Sequence, residues 1–261
     1  MERWRGKWAL ITGASAGIGW ALAEQLAAGG TNLILTARRR ERLEALAERL
    51  SKQHGVRIEV FPADLTLPVA PEHIFAFTEK QRILVDLLVN NAGFGTYGLF
   101  HTSDRTRQME MLQVNVAAVV TLTHLYLPGM IERRCGDILI VASTAAFQAV
   151  PYLTTYAATK AFDLLFAEAL AEEVRRYGIR VCALCPGSTV TEFQQVAGEP
   201  DRHLRHAETA AKVARVGLEA LACGRSYVIS GVANYLSTHA QRLVPRQFVT
   251  RMAAKMLRPS D

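Results

Sequence analysis

The stretch from Trp8 to Leu26 constrains the fold more than any other part of the chain. Trp8-Ala9-Leu10-Ile11 is short and apolar, which reads as a buried strand. It runs directly into Thr12-Gly13-Ala14-Ser15-Ala16-Gly17-Ile18-Gly19, and Ile18, Ala21, Leu22 and Leu26 then recur at helical spacing. Strand, glycine-rich turn and helix in immediate succession is the context in which a chain cradles a dinucleotide. Gly13 permits the tight turn, Gly17 lets a pyrophosphate approach the backbone, and Gly19 lets the helix pack close to the sheet. Ser15, Ala16 and Ile18 complete the cradle, and free N–H groups at the helix start hold the anion. The spacing is Gly-x-x-x-Gly-x-Gly rather than the commoner Gly-x-Gly-x-x-Gly, so a purely structural glycine turn is the alternative.

Apolar runs alternate with helix-length segments along the rest of the chain. Strands are expected near 8–12, 32–37, 56–61, 86–90, 136–142, 180–185 and 226–230. This alternation predicts a parallel sheet with right-handed crossovers. The fold class is therefore α/β, a single-domain doubly wound parallel sheet (Rossmann fold) of about seven strands with helices on both faces. A chain of 261 residues that is 50% hydrophobic supplies the core of one such domain. No linker, repeat or low-complexity stretch divides it. Residues 1–233 make the dinucleotide-binding and catalytic domain, and 234–261 a C-terminal extension of that domain.

The second strand ends where the adenosine ribose lies in such folds. An enzyme for the unphosphorylated cofactor usually places a carboxylate there. Here the chain reads Ala37-Arg38-Arg39-Arg40, and Glu41 comes three residues too late and belongs to the next helix. Arg38, with Arg39 beside it, suits a 2′-phosphate, because a guanidinium fork matches that anion. A preference for NADP(H) is expected; the alternative is that these arginines are a solvated helix start.

Tyr156 and Lys160, in Tyr156-Ala157-Ala158-Thr159-Lys160, stand one helical turn apart. Positions i and i+4 share a helix face, so the ammonium sits beside the phenol. A nearby positive charge favours phenolate and moves a tyrosine from its usual pKa of about 10 toward the range of an acid/base catalyst.

Taken together these segments resemble the short-chain dehydrogenase/reductase family from about residue 5 to about 190. Asp64-Leu65 resembles the family's adenine-contacting pair, and Asn90-Asn91-Ala92-Gly93 its motif at the end of the fourth strand. Asn115, in Leu112-Gln113-Val114-Asn115-Val116, matches the helix asparagine of the catalytic set, and Ser143 stands 13 residues before Tyr156, a spacing typical of the family. Pro186-Gly187 follows the sixth strand, with Thr191 placed like the family threonine near the nicotinamide carboxamide and Thr189 as a further cofactor-binding residue. The resemblance implies an oxidoreductase that interconverts a carbonyl and a secondary alcohol. In it Tyr156 trades the proton, Ser143 holds the substrate oxygen, Lys160 bonds the nicotinamide ribose, and Asn115 helps place a water leading from Lys160 to solvent. Each residue has a structural alternative: Ser143 as a strand-end cap, Asn115 as a helix–helix hydrogen bond, Thr191 as a turn residue. A non-catalytic NADPH-sensing regulatory protein is the rival reading of the whole. A serine hydrolase is excluded, since Val141-Ala142-Ser143-Thr144-Ala145 is no glycine-flanked nucleophile elbow.

Substrate-pocket candidates follow from position at the carboxyl edge of the sheet. Phe94 and Tyr97 follow the fourth strand, Phe147, Tyr152 and Leu153 the fifth, and Phe193 the sixth. They suit a small to medium, partly apolar carbonyl or alcohol. The net charge of +6 is modest and no basic–aromatic motif accompanies it, so no nucleic-acid partner is expected. The seven histidines show no ligand spacing, and no metal is expected. Cys182 and Cys185 form a C-x-x-C, but residues three apart in a strand point to opposite faces. They read as buried apolar residues rather than a redox pair. Met1 to Lys7 leads into the first strand without an apolar signal region, and no uninterrupted apolar run approaches about 18 residues. A cytoplasmic protein is expected.

Between Asn234 and Ser260 stand Arg242, Arg246, Arg251, Lys255 and Arg258, and no acidic residue. Phe248, Val249, Met252 and Met256 fall on one side of a helix there. Such a tail resembles a family branch whose better-known members act on acyl or lipid-like carbonyl compounds. Packing on its own domain as a lid, or on a partner subunit, is the favoured reading. Peripheral contact with an anionic membrane comes second, and a frayed end third. The helices from about 104 to 133 and from about 152 to 177 resemble the family's four-helix dimer interface. The second is apolar around much of its girth through Ala157, Ala158, Ala161, Phe162, Phe166 and Leu170. A homodimer is expected.

Overall fold

Seven apolar runs become seven strands of one sheet in the computed structural model, which describes residues 2–198 and 207–259. Met1, 199–206 and the last two residues of the 234–261 extension lie outside the described residues. The strands are β1 (Trp8–Thr12), β2 (Asn32–Thr36), β3 (Ile58–Val60), β4 (Val85–Asn90), β5 (Gly136–Val141) and β6 (Ile179–Cys185). A short side pair, β7 (Thr189–Val190) and β8 (Glu208–Thr209), precedes the edge strand β9 (Tyr227–Ile229). The main sheet runs β3-β2-β1-β4-β5-β6-β9 with every neighbouring pair parallel. The order reverses between β1 and β4, which opens a crevice at their carboxyl ends.

Ten α-helices flank this sheet among the described residues. They are α1 (Gly17–Ala28), α2 (Arg40–His54), α3 (Ala70–Lys80), α4 (Arg105–Leu112), α5 (Ala118–Arg133), α6 (Thr154–Val174), α7 (Phe193–Ala197), α8 (Ala210–Ala222), α9 (Val232–Ala240) and α10 (Arg246–Leu257). One face is covered by α1, α2 and α8 through Leu22, Leu26, Leu43, Leu46 and Leu218. The other is covered by α3, α5 and α6 through Ile74, Leu122 and Leu164. Burial on both faces is why the central strands read as largely apolar runs. Cys182 lies in the first core and Cys185 in the second, both free and buried, as residues three apart in a strand must. Burial pushes the Cys182 thiol up to about 12 and raises Cys185 as well.

Two features were not legible beforehand. The chain ahead of β1 is pinned beneath the sheet. Arg3 grips buried Asp137 of β5 through Nε at 2.7 Å and Nη2 at 3.0 Å, while the Trp4 indole N–H donates to Oδ2 at 2.8 Å. The expected single helix from 104 to 133 is α4 and α5 joined by a π-helical turn, Gln113–Ala117. The wider turn carries buried Val114 and Asn115 into the domain, and such turns often mark functional positions.

Candidate active site

A cleft of about 580 Å³ opens along the carboxyl ends of the strands, within the roughly 300–1,000 Å³ range of ligand sites. Its floor is the turn after β1, where Gly13 and Gly17 take left-handed backbone, φ +68° and +57°. Gly19 stands behind the wall, where a Cβ would lie 2.5 Å from both the Gly13 carbonyl oxygen and Asn91 Nδ2. Its bareness lets α1 close on β1 and β4. Ala16 caps α1 without a side-chain hydrogen bond, and the first turn holds no acid. Ala16, Gly17 and Ile18 face the cleft, so an uncapped helix N-terminus is presented where an anion would sit. Thr12, which sequence reasoning passed over, ties this turn to the next strand end. Its Oγ1 accepts from the Asn91 and Ala92 N–H groups at 2.9 Å each, and Asn91 Nδ2 donates to Thr12 O at 2.7 Å.

At the adenosine end the two arginines part company. Arg38 is exposed at the cleft and forms no ion pair among the described residues. Arg39 instead donates to Ser15 Oγ from Nε and Nη2, at 3.2 and 3.1 Å, and to Glu192 Oε2 at 2.7 Å. Arg42 holds the other Glu192 oxygen, and the bonds from Arg42 and Arg39 keep that carboxyl below the usual carboxylate range. Glu192 therefore straps the segment after β7 to the start of α2. Asp64 and Leu65 line the same end, with Asp64 Oδ1 accepting from Thr66 N–H and Oγ1–H at 3.0 and 2.9 Å.

Tyr156 and Lys160 face the other end of the cleft from α6, with Lys160 Nζ 5.9 Å from the centre of the phenol ring. Lys160 is buried and donates to Val141 O at 2.7 Å and to Asp163 Oδ2 at 3.0 Å. Burial opposes its charge, yet the Asp163 carboxylate and the neighbouring Tyr156 outweigh that and hold its pKa above the ordinary value. Asp163 is itself pushed up by burial, with Lys160 opposing. Among the described residues its second oxygen has no hydrogen-bond partner. Sequence reading missed Asp163, although its place three residues after Lys160 puts it on the same helix side.

Ser143 also lines the cleft, its Oγ accepting from Ala145 N–H at 3.1 Å. Asn115 does not reach the cleft surface. Its Nδ2 donates to Phe94 O and Thr159 Oγ1 at 3.0 Å each, and its Oδ1 accepts from Phe94 N–H at 3.1 Å. Both ends of the amide are engaged by protein, so Asn115 braces the bend after β4 against α6. A Cβ on Gly93 would meet Asn115 Oδ1 at 3.2 Å and Lys160 Nζ at 3.4 Å, which puts both side chains directly behind that bend. Ala92, Gly93, Pro186, Gly187, Thr189 and Thr191 complete the wall, and Thr191 Oγ1 accepts from Phe193 N–H at 3.2 Å.

The substrate-pocket expectation divides. Phe94, Leu153 and Phe193 line the cleft, and the Phe193 ring lies 5.0 Å from that of Tyr156. Tyr97, Phe147 and Tyr152 do not line it. Tyr97 and Tyr152 border a separate depression of about 140 Å³, and the Tyr97 hydroxyl donates to Leu257 O at 2.7 Å. Tyr152 takes left-handed backbone, φ +68°, just ahead of α6. Phe147 ends a 3-10 turn and packs into the core, 6.2 Å from the Tyr227 ring. The wall they left is supplied by the C-terminal extension through Asn234, Thr238, Gln241 and Leu257.

The family model for short chain dehydrogenases matches residues 7–202. The chain belongs to the short-chain dehydrogenase family. "Hydroxysteroid dehydrogenase-like protein 1" of Gallus gallus is 38% identical over 183 residues, 69% of this chain and 55% of that protein. "Very-long-chain 3-oxoacyl-CoA reductase" of Rattus norvegicus is 31% identical over 245 residues, 92% of this chain and 77% of that protein. "Inactive hydroxysteroid dehydrogenase-like protein 1" of Homo sapiens is 34% identical over 196 residues, 72% of this chain and 57% of that protein. The chain thus spans little more than half the length of two of these curated relatives. A solved short-chain dehydrogenase from Sphingobium yanoikuyae, in complex with NADPH, superposes with a TM-score of 0.82 at 30% identity, covering 91% of this chain and 94% of that one. This short-chain dehydrogenase shares with it a doubly wound sheet whose cleft suits a nicotinamide dinucleotide.

Proposed function

We propose that this short-chain dehydrogenase is an NADP(H)-dependent oxidoreductase that interconverts a carbonyl and a secondary alcohol on a partly apolar substrate. The observation that carries this reading is the Tyr156–Lys160 pair facing the same cleft as the uncapped start of α1. Gly13, Gly17 and the α1 N-terminus would hold the pyrophosphate, and Arg38 would take the 2′-phosphate. Bound there, the nicotinamide supplies hydride chemistry; the chain handles the proton.

In the reducing direction Tyr156 gives its proton to the carbonyl oxygen while Ser143 hydrogen-bonds that oxygen and fixes its position. Lys160, kept charged inside the protein by Asp163, stabilises the phenolate left behind. Oxidation reverses the transfer. Phe94, Leu153, Phe193 and Leu257 favour an apolar body on the substrate. The hydroxysteroid and very-long-chain acyl names among its relatives support the same class. The relative called inactive favours a second reading, a protein that senses NADPH without turnover. Ser143, Tyr156 and Lys160, together at the cleft, argue against it.

The test is steady-state turnover against a panel of ketones, aldehydes, quinones and acyl derivatives, with NADPH and with NADH. Tyr156→Phe is expected to remove nearly all turnover and leave NADPH binding intact, and wild type to prefer NADPH. Wild-type binding without turnover on any carbonyl would favour the sensor. Turnover surviving in Tyr156→Phe would place the proton donor elsewhere, and a clear NADH preference would remove Arg38 from the reading.

A further inference from the structure

We propose that the outward face of α9, α10 and the turn between them docks on an anionic lipid surface. The inner side of α10 is settled: Ala253 is buried and Leu257 reaches the cleft. The outer side is not covered by the other described residues. Phe248, Met252 and Met256, spaced i, i+4 and i+8, make one exposed stripe along it. Arg251 and Lys255 run beside that stripe, each one residue ahead of a methionine. The preceding segments expose apolar side chains as well, Leu243 at 88% in the turn and Leu236 at 61% and Val232 at 77%, spaced i and i+4, on α9.

Charge decides the occupant. No acidic residue stands between Val232 and Pro259, and Arg242, Arg246, Arg251 and Lys255 form no ion pair among the described residues. A second copy meeting this face about a two-fold axis would set the same cations against one another. An anionic bilayer answers both halves of the pattern at once. Its headgroups attract the cations and its acyl boundary receives the apolar stripe, as with other helices that lie in the interface plane. The place in the fold gives the contact a use. Leu257 closes the substrate end of the cleft, and the Tyr97 hydroxyl holds the end of α10 there. A domain resting on α10 would open its cleft beside the membrane boundary, where an apolar carbonyl compound partitions. This last clause rests on the proposed reaction; the docking does not.

The full chain is to be co-sedimented with vesicles of phosphatidylcholine alone and of equal parts phosphatidylcholine and phosphatidylglycerol, without substrate. Binding to the anionic vesicles is expected, about tenfold or more above the neutral ones. It should fall at high salt, as the screening length shortens from about 10 Å at 0.1 M to about 3 Å at 1 M. The combined variant F248S/M252S/M256S should bind about tenfold or more weakly, with circular dichroism and NADPH binding unchanged. The charge variant R251E/K255E should lose the salt-sensitive part. Wild-type protein left in the supernatant, or serine variants that bind like wild type, would defeat the proposal. So would a serine variant that changes only the oligomer mass in light scattering, which would make the face a contact between copies. Because no reaction is read, failure here leaves the Tyr156 test untouched.

Discussion

Beneath Tyr156 lies an ion pair almost wholly withdrawn from water. Lys160 is 5% exposed and Asp163 1%, with 3.0 Å between Nζ and Oδ2. A lone ammonium so placed would shed its proton readily, because burial disfavours the charged form. The Asp163 carboxylate reverses that, and in the proposed reaction it would be a positioning residue acting through Lys160. The other titratable groups facing the pair are the Tyr156 phenol on α6 and the Cys185 thiol on β6, the latter raised by burial. Replacing Asp163 by Asn should therefore move the alkaline limb of the kcat/KM profile for carbonyl reduction to lower pH, by about one to three pH units. Lys160 would lose its proton sooner, and any Lys160 still charged, no longer neutralised, would lower Tyr156. A role in packing alone would depress activity evenly at every pH, so a vertical drop without a shifted limb refutes the assignment. Tyr156 and Lys160 were legible in the sequence because helix geometry fixes the neighbours of an i, i+4 pair. Asp163 was just as close in sequence. What made it matter, exclusion of solvent from both partners, is a property of packing that spacing does not report.

The elements were legible for a related reason. Strands buried on both faces are mostly apolar, so their positions stood out in the sequence. The irregular pieces were not, because their cause lies in other elements. The π-helical turn at Gln113–Ala117 carries Asn115 to Phe94 and Thr159, on two different segments. Ser143, Asn115 and Thr191 each fill the structural role that stood as the alternative to a functional one: a turn cap, a helix–helix bond and a bend. For Ser143 and Thr191 those same bonds leave the side chain at the cleft, so the structural role does not remove either from the proposed site. The glycine turn shows the energetic side. At Gly19 a Cβ would press on the Gly13 carbonyl, backbone that no rotamer change relieves, and on the Asn91 side-chain amide that holds the cradle to β4. Gly19→Ala should cost about 1–3 kcal/mol of stability in urea titration and weaken NADPH binding at the same time. A wild-type midpoint would show that α1 can shift without strain.

At the scale of the molecule, the C-terminal extension was legible as basic and amphipathic, but not as a wall of the cleft. Sequence gave the period of α10; only the fold reveals that Leu257 ends beside Tyr97. A second apolar surface lies on the helices from α4 to α6. The run Arg105–Arg133 is long and apolar enough to cross a membrane by composition, but α5 is packed into the sheet's second core. What remains outside is a band in which Met109, Leu112, Val120 and Leu165 are exposed, the last at 67%. The stacked rings of Phe162 and Phe166, 5.5 Å apart, continue it along α6. Unlike the C-terminal face, this band mixes its apolar residues with both charge signs, such as the Arg107–Glu110 pair. Nothing there forbids a copy from facing itself across a two-fold axis. Light scattering at micromolar concentration is expected to give twice the chain mass, and Leu165→Arg on α6 to return the monomer. A wild-type monomer mass would rule the dimer out. Since Leu165 is remote in sequence from α10 and carries none of its cations, Leu165→Arg should leave vesicle binding intact, while F248S/M252S/M256S should leave the dimer intact. Each surface would then answer to its own measurement.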